Sequence, residues 1–457
     1  MCKQAMAGQA LDYEERLDTK TFILAYPQRA LVDTLGSRLI EAEDEPMMQS
    51  CVVAITTDNG FNIEDSIIIN QSSLDRGLFR TYFSKTYKAT ESVHGADSER
   101  LGDVRDAAIL GKKHSDYSKL EADGTPAVCA KIKQNDVVIG KYSSFNHATL
   151  LEGEHTTRRV SRDQSITVKE RDNCIADKIV YATQKENSTL RQVTVRTTAT
   201  YHPEMGDKFA SRHAQKGICA ITRRQEDMPR TAEGISPDLI FNPHGIPSRM
   251  TVGHLMEMVM GKGACLSGNI ADGTPFRDIK LDEATKILRD RGYRCDGFER
   301  MYSGETGKML RNPVFIGILS YQRLRHVVRN KIHARARGPR TVLTRAPVEG
   351  RSRCGAFRVG ELQTSCFTAQ GVSAIIKDRL LNCSDPHTSY VCKTCGKIAE
   401  KPSAPDSKII SVLHATAYCR VCDSNDNIVA VKIPYSFKLM LDEFQAMHFQ
   451  TKLKVGV

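Results

Sequence analysis

The chain has 457 residues, 40% of them apolar and 26% charged, with a formal net charge of +11. That composition is ordinary for a globular protein and leaves room for roughly two to four domains. Fourteen cysteines are scattered apart from one cluster near the end, which argues against a disulfide framework and for a reducing compartment. The opening residues do not read as a signal peptide, and no apolar run approaches the roughly 20 residues of a membrane span.

Residues 1–80 have a compact, mixed texture. Cys51-Val52-Val53-Ala54-Ile55 reads as a buried strand and Asp58-Asn59-Gly60 as a turn. The acid pair Glu64-Asp65 then precedes a second apolar run, Ile67 to Ile69. In a strand its two side chains would point to opposite faces, so only a turn converges them. The bland reading is a solvated turn; the functional one is two carboxylates approaching a hydrated Mg²⁺ or its phosphate ligands. From 81 to 202 the texture turns polar and strand-rich, with short alternating segments such as Ser165-Ile166-Thr167-Val168 and Gln192-Val193-Thr194-Val195. Turn signals lie at Asp123-Gly124-Thr125-Pro126 and Asn135-Asp136, so this is an inserted β-rich domain.

Gly206 to Cys219 carries two lysines, Lys208 and Lys216, with a glycine two residues before the first and one directly after the second. Two fixed cations on a stiff backbone suit an anion, and phosphate is the obvious one. Downstream, Asn242 to Thr251 contains Arg249 at a predicted helix start, Pro247-Ser248, whose approach is stiffened by Pro243 and Pro247. An arginine there opposes the helix dipole unless it binds an anion. That helix carries Leu255, Met256, Val259 and Met260 and is expected to stop at Gly261-Lys262-Gly263. A second helix spans Leu281 to Arg291, with Ala284, Ile287 and Leu288 on one face and Gly292 beyond its end. From Arg323 to Arg358, eleven basic residues face the single acid Glu349. Ten of the eleven are arginine, which favours polyphosphate contact.

Cys392-Lys393-Thr394-Cys395 and Cys419-Arg420-Val421-Cys422 are two CxxC knuckles separated by 23 residues. They fit a Cys₄ zinc site with no open position, hence a structural one. Gly396 suits the knuckle's tight turn, and part of the long spacer should loop out. A final helix follows Pro434, with Phe437, Met440, Leu441, Phe444 and Met447 as its apolar positions. Gly304 to Met309 imitates the end of a P-loop but has wrong glycine spacing and lacks the Ser/Thr. Asp423 to Asn427 lacks the glycine of a calcium loop. His213 and His254 read as packing or hydrogen-bonding residues.

Taken in order, several segments carry a resemblance. They are Lys3-Gln4-Ala5-Met6, Asn62 to Gly77, Gly206 to Gly217, Asp227-Met228-Pro229 with Thr231 to Gly234, and Asn242 to Thr251. His333 to Pro339, Arg345, Pro347 to Ser352 and Gly360-Glu361 complete the series. Together they closely resemble the second-largest subunit of multisubunit DNA-directed RNA polymerases, of the eukaryotic, archaeal and large-DNA-virus branch. The resemblance covers essentially the whole chain.

The resemblance implies a mixed α/β multidomain fold. Residues 1–80 and 203–356 would form a hybrid-binding domain with a double-psi β-barrel, and 81–202 the inserted wall or flap. Residues 357–380 would be an anchor and 381–457 a zinc-binding clamp segment. It implies catalytic-centre roles for Lys208, Lys216, Arg249, Glu64 and Asp65, and nucleic-acid contacts for Gln4, Arg335, Arg337, Arg345, Arg351 and Arg353. It implies nucleotidyl transfer with Mg²⁺, whose primary site is an aspartate triad on the largest subunit; no D-x-D-x-D occurs here. Expected partners are that largest subunit, the N-terminal half of the second-largest subunit, smaller polymerase subunits, template DNA, the RNA–DNA hybrid and nucleoside triphosphates. The expected location is the nucleus or cytoplasm, or a virion if the source is viral.

Some residues depart from the family pattern. Cys2 and Ala7 replace glycines, Ala214 replaces the glycine before Gln215-Lys216, and Cys354-Gly355-Ala356 and Gln363-Thr364-Ser365 replace other typical segments. Met1 falls inside a family motif, so the N-terminal half is expected on a separate chain or outside a partial sequence. The alternative reading is a truncated, non-catalytic paralogue that binds nucleic acid and zinc.

Overall fold

The computed structural model describes residues 2–42, 44–95, 97–105, 109–151, 154–169, 173–183, 190–277, 281–400 and 417–455. Residues 1–332 and 333–457 form two compact units. The architecture is mixed α/β with several sheets.

The first unit is organised around one sheet: β1 (Gln49–Ile55), β2 (Ser66–Asn70), β3 (Lys208–Ser211), β4 (Lys216–Arg223), β5 (Leu239–Phe241), β6 (Phe298–Glu299) and β7 (Val314–Arg323). The strand order is β3-β4-β2-β5-β1-β7-β6, and β3 also pairs with β7, so six strands close on themselves and β6 hangs from β7. β4 runs parallel to β2 and β5 parallel to β1. Alternate side chains, among them Cys51, Val53, Ile67, Ile69, Phe209, Cys219, Leu319 and Tyr321, share one core. Their neighbours Ala54, Val314 and Ile316 pack into a second cluster, and Ile68 and Ile240 into a third. Strands buried on both faces are apolar at consecutive positions, which is why β1 and β2 read as unbroken apolar runs.

The helix α1 (Val252–Ser267) departs from expectation at both ends. Residues 246–250 form a turn, and the helix runs through Gly261 and Gly263 to Gly268, which caps it with φ +78°. The internal glycines serve close packing. A Cβ on Gly261 would lie 2.4 Å from the Ile318 carbonyl oxygen of β7. One on Gly263 would lie 3.2 Å from Ala284 Cβ of α2 (Leu281–Asp290). α2 buries Ala284 and Leu288 as its period predicts.

Between β2 and β3 the chain makes a long excursion. It leaves along Thr81–Thr90 and returns along Arg191–Tyr201, paired antiparallel from Thr81↔Tyr201 to Thr90↔Gln192. Lys20–Leu24 and Cys174–Thr183 extend this sheet on either side. A second sheet contains Asp97–Leu101, Lys141–Leu151 and Glu154–Asp163. Leu101, Ile132, Val138, Ile139, Val168, Val193 and Val195 share the core of the excursion, so the strand-rich reading of this stretch holds.

Arg323 fastens this excursion to the central sheet. Its guanidinium donates to the carbonyls of Phe79 (2.7 Å), Tyr201 (3.0 Å) and His202 (3.3 Å), to Thr81 Oγ1 (2.9 Å) and to Asp207 Oδ2 (2.7 Å). The sequence reading counts Arg323 among phosphate-contacting arginines. The structure buries it completely, and its ion pair with Asp207 is dry on both sides, so it cannot reach a ligand. Burial pulls the Arg323 guanidinium below its ordinary pKa, and Asp207 opposes that shift.

In the second unit, Pro386–Cys392 pairs with Ile398–Ala399 and Ile428–Pro434 in a three-stranded sheet. The helix α3 (Tyr435–Ala446) follows Pro434 as expected. Of its apolar positions Leu441 is buried, whereas Phe437, Met440 and Phe444 remain 37–39% exposed.

Candidate functional sites

β3 and β4 form a tight hairpin whose register sets Lys208 opposite Ile218 and Ala210 opposite Lys216. Opposed residues of an antiparallel pair share a face, so the two lysines project from the same side as diagonal neighbours. Phe209, Gly217 and Cys219 are buried on the other side. The flanking glycines permit close approach. A Cβ on Gly217 would lie 2.9 Å from Ile67 Cγ2 and 3.0 Å from the Asp65 carbonyl oxygen; Gly206 has φ +95° with Val328 pressed against it.

Glu64 and Asp65 stand in the turn that enters β2, with φ +53° and +64°. The Asp65 carbonyl accepts the Ile218 N–H at 3.0 Å, which brings the acid pair beside the lysine hairpin. Asn62 is fully buried and braces the turn, accepting the Asp58 N–H (3.1 Å) and donating to the Thr56 carbonyl (2.7 Å). Arg223 of β4 bridges Asp58 (2.9 Å) and Glu305 (3.0 Å).

Arg249 lies in the turn three residues before α1 rather than at its first residue. Its Nη2 donates to both Asp65 carboxylate oxygens at 2.5 Å, and its Nη1 to Gln215 Oε1 at 2.6 Å. The structure therefore gathers Asp65, Lys208, Lys216 and Arg249 at one edge of the closed sheet, with Glu64 exposed beside them. Gln4 joins through its carbonyl, which accepts the Arg325 N–H (3.0 Å), and its Oε1, 3.0 Å from His326 Nε2. Burial, then Lys331, Lys208 and Arg325, hold the His326 pKa below its ordinary value. His326 thus shares the basic neighbourhood of Lys208, although nothing local in the sequence marks it.

Behind the hairpin, Glu257 of α1 is buried and meets Arg212 Nη2 (2.6 Å) and His213 Nε2 (2.5 Å). Burial pushes its pKa up, but His213 and Arg212 hold it below the usual carboxylate value. His254 stacks on Phe241 at 5.3 Å between ring centroids. Burial, reinforced by His213, lowers its pKa to about 4. Both histidines pack and hydrogen-bond, as the sequence suggests.

In the second unit Arg337, Arg351 and Arg353 are exposed. Arg335 folds back onto the carbonyls of Cys354 (2.6 Å) and Pro339 (3.0 Å). Arg345 lies over the Tyr435 ring at 4.1 Å.

The Sγ atoms of Cys392, Cys395, Cys419 and Cys422 all lie within 4.8 Å of one another. Two of the separations are 3.9 Å (Cys392–Cys422) and 3.5 Å (Cys395–Cys419). A tetrahedral zinc–thiolate site needs about 3.8 Å between sulfurs, from Zn–S bonds of about 2.3 Å. The donor set therefore fits zinc. Backbone N–H groups of Cys395 and Thr394 draw the Cys392 thiol down, while the neighbouring sulfurs push that of Cys422 up; a bound metal would take all four as thiolates. Gly396 turns the first knuckle with φ +72°. The spacer segment 401–416, expected to loop out, lies outside the described residues. Mg²⁺ takes about six oxygen ligands. Glu64 and Asp65 supply only two carboxylates, and Asp65 already holds Arg249, so this pair can share a hydrated ion but not enclose one.

Comparison with known proteins bears on this geometry. The family model described as RNA polymerase Rpb2, domain 6, matches residues 1–353, and that for Rpb2, domain 7, matches residues 355–456. The chain is 43% identical over 454 residues to the DNA-directed RNA polymerase II subunit RPB2 of Eremothecium gossypii, covering 99% of this chain and 36% of that protein. It is 42% identical over 460 residues to the corresponding subunit of Encephalitozoon cuniculi, covering 99% of this chain and 39% of that one. With the DNA-directed RNA polymerase subunit Rpo2 of Saccharolobus solfataricus it shares 37% identity over 462 residues, covering 100% and 40% respectively. The chain spans well under half the length of these relatives. It belongs to the Rpb2 family, the second-largest subunits of DNA-directed RNA polymerases, and corresponds to their C-terminal part.

Proposed function

We propose that this chain forms one side of the catalytic centre for DNA-templated RNA synthesis, acting within a multisubunit polymerase. The observation that carries the reading is the convergence of Lys208 and Lys216 on one face of the hairpin with the Asp65–Arg249 pair at the same sheet edge. In nucleotidyl transfer the RNA 3′-oxygen bonds to the α-phosphorus of the incoming nucleotide, the bond from that phosphorus to the bridging oxygen breaks, and pyrophosphate leaves. Charge accumulates on phosphate oxygens throughout, so fixed cations that need no reorganisation stabilise it. Lys208 and Lys216 would contact the RNA 3′ end and nucleotide phosphates, and Arg249 the triphosphate. Glu64 and Asp65 would approach a second, exchangeable Mg²⁺ beside the primary one on the largest subunit; when bound, the two ions together would neutralise charge on the attacking and leaving oxygens.

In this reading the closed six-stranded sheet is the double-psi barrel of a hybrid-binding domain, spanning 1–80 and 203–356. The excursion 81–202 is the wall, 357–380 an anchor, and 381–457 a clamp segment stabilised by zinc. Gln4 and the arginines Arg335, Arg337, Arg345, Arg351 and Arg353 would hold the RNA–DNA hybrid. The partners are the largest subunit, the remainder of the second-largest subunit and the smaller subunits.

The test is transcript elongation by the complex purified through this chain. Lys208→Ala or Lys216→Ala should slow nucleotide addition by about 10²-fold or more, as loss of one such donor does elsewhere, while subunit stoichiometry is unchanged. Normal addition by either variant would remove the assigned role.

A further inference from the structure

Gln215 sits between the exposed Lys216 and Ala214, whose φ is +60°, yet its own side chain is completely buried. Its amide is fully committed. Nε2 donates to the Gly245 carbonyl (2.9 Å) and to Thr251 Oγ1 (2.6 Å), and Oε1 accepts from Arg249 Nη1 (2.6 Å). The orientation of the amide is fixed by chemistry: a guanidinium can only donate and a carbonyl can only accept, so Oε1 must face Arg249 and Nε2 must face Gly245. One side chain thus joins the lysine hairpin to both ends of the turn that carries Arg249.

The two partners of Arg249 differ in kind. Asp65 is a carboxylate 46% exposed and Arg249 itself is 37% exposed, so water, a metal ion or a phosphate can compete for that contact. Gln215 is neutral and out of reach of solvent. A guanidinium has five N–H donors. Arg249 can therefore turn its Asp65-facing edge toward an anion and keep Gln215.

We propose that Gln215 is a positioning residue for nucleotide binding: it anchors the Arg249 guanidinium at a fixed place relative to Lys216, while Asp65 is the exchangeable partner that the triphosphate displaces. The inference rests on the assignment of Arg249 to the triphosphate. It adds the residue that sets where that arginine points, and it makes Lys216 and Arg249 one rigid unit.

The experiment is a double-mutant cycle in the assembled polymerase containing the full chain, read as KM and kcat for a single nucleoside triphosphate. Gln215→Leu removes donor and acceptor at similar volume and should raise the nucleotide KM about tenfold, with the loss falling on KM rather than kcat. Thr251→Val removes one of the bonds that hold the amide and should raise KM by about two- to threefold. Gln215→Glu keeps an acceptor for Arg249 and should recover part of the affinity lost in Gln215→Leu. In an Arg249→Ala background, Gln215→Leu should change KM by less than about twofold, because the anchor has nothing left to hold. A purely structural role would give the same factor in both backgrounds, and additive effects of that kind overturn the proposal. If Arg249→Ala alone leaves KM unchanged, the triphosphate assignment fails first, and that outcome is distinct from additivity. If Gln215→Leu does not assemble, the Thr251→Val and Gln215→Glu arms decide, and wild-type KM in both overturns the anchor.

Discussion

Replacing Arg323 by leucine tests how the excursion 81–202 is fixed to the central sheet. The guanidinium is wholly buried and neutralises Asp207, whose side chain is 1% exposed. Removing one partner of such a pair costs about 3–5 kcal/mol, because the other is left charged and unsolvated. The carbonyls of Phe79, Tyr201 and His202 lose a donor as well, so the upper part of that range applies. At about 1.4 kcal/mol per factor of ten, amides of Thr81–Thr90 and Arg191–Tyr201 should exchange with deuterium about 1,000-fold faster where exchange reports opening of this junction. A second variant isolates the charge. In Arg323→Leu with Asp207→Asn no buried ion remains, and Oδ1 can still accept the Val328 N–H, a bond of 3.0 Å. About 1–3 kcal/mol should return, the cost of an unsatisfied buried group. Exchange within threefold of wild type in Arg323→Leu, or no recovery in the double variant, would refute the reasoning.

Ala214 holds φ +60°, where a Cβ is disfavoured; Ala214→Gly should raise stability by about 0.5–1 kcal/mol in urea unfolding, and a loss would contradict the strain. His254 has its pKa lowered from 6.5 to about 4, so the unfolded chain binds more protons between those values. Stability should therefore fall as pH drops from 6.5 to 4, by up to about 3 kcal/mol at about 1.4 per pH unit. Glu257, its pKa also lowered, adds a further loss in more acid solution. His254→Gln should flatten the segment above pH 4, and an unchanged slope would count against burial as its cause. Metal analysis should find about one zinc per chain, lost in Cys392→Ser or Cys419→Ser; metal-free protein with unaltered unfolding of 381–457 would exclude a structural site.

Much of the fold was legible because local periodicity carries it. β1, β2 and the strands Ile166–Thr167 and Arg191–Tyr201 lie where apolar runs and alternation put them. α2 and α3 follow their helical period and their Gly292 and Pro434 boundaries. Failures came where distant residues decide. Gly261 looked like a helix stop because Ile318, whose carbonyl demands it, lies far along the chain. Arg323 looked like a surface cation because Asp207, which permits its burial, stands 116 residues away. At the candidate site the spacing of Lys208 and Lys216 announced paired cations, but their shared face needed the strand register. Gln215 gave no signal, since a glutamine among charged residues is usually solvated and only the Arg249 turn buries it.

The paired strands Thr81–Thr90 and Arg191–Tyr201 have a consequence for how such a protein can change. The excursion departs and comes back through one doorway, with Thr81 and Tyr201 directly opposed. Loops hung beyond Thr90 and Gln192, past the rungs that Lys20–Leu24 also joins, can lengthen or shorten at the modest, logarithmic entropy cost of a loop. The lysine hairpin on the far side of the clasp need not register the alteration. A chain arranged this way can acquire new surface for regulators while its phosphate-facing edge stays as it was.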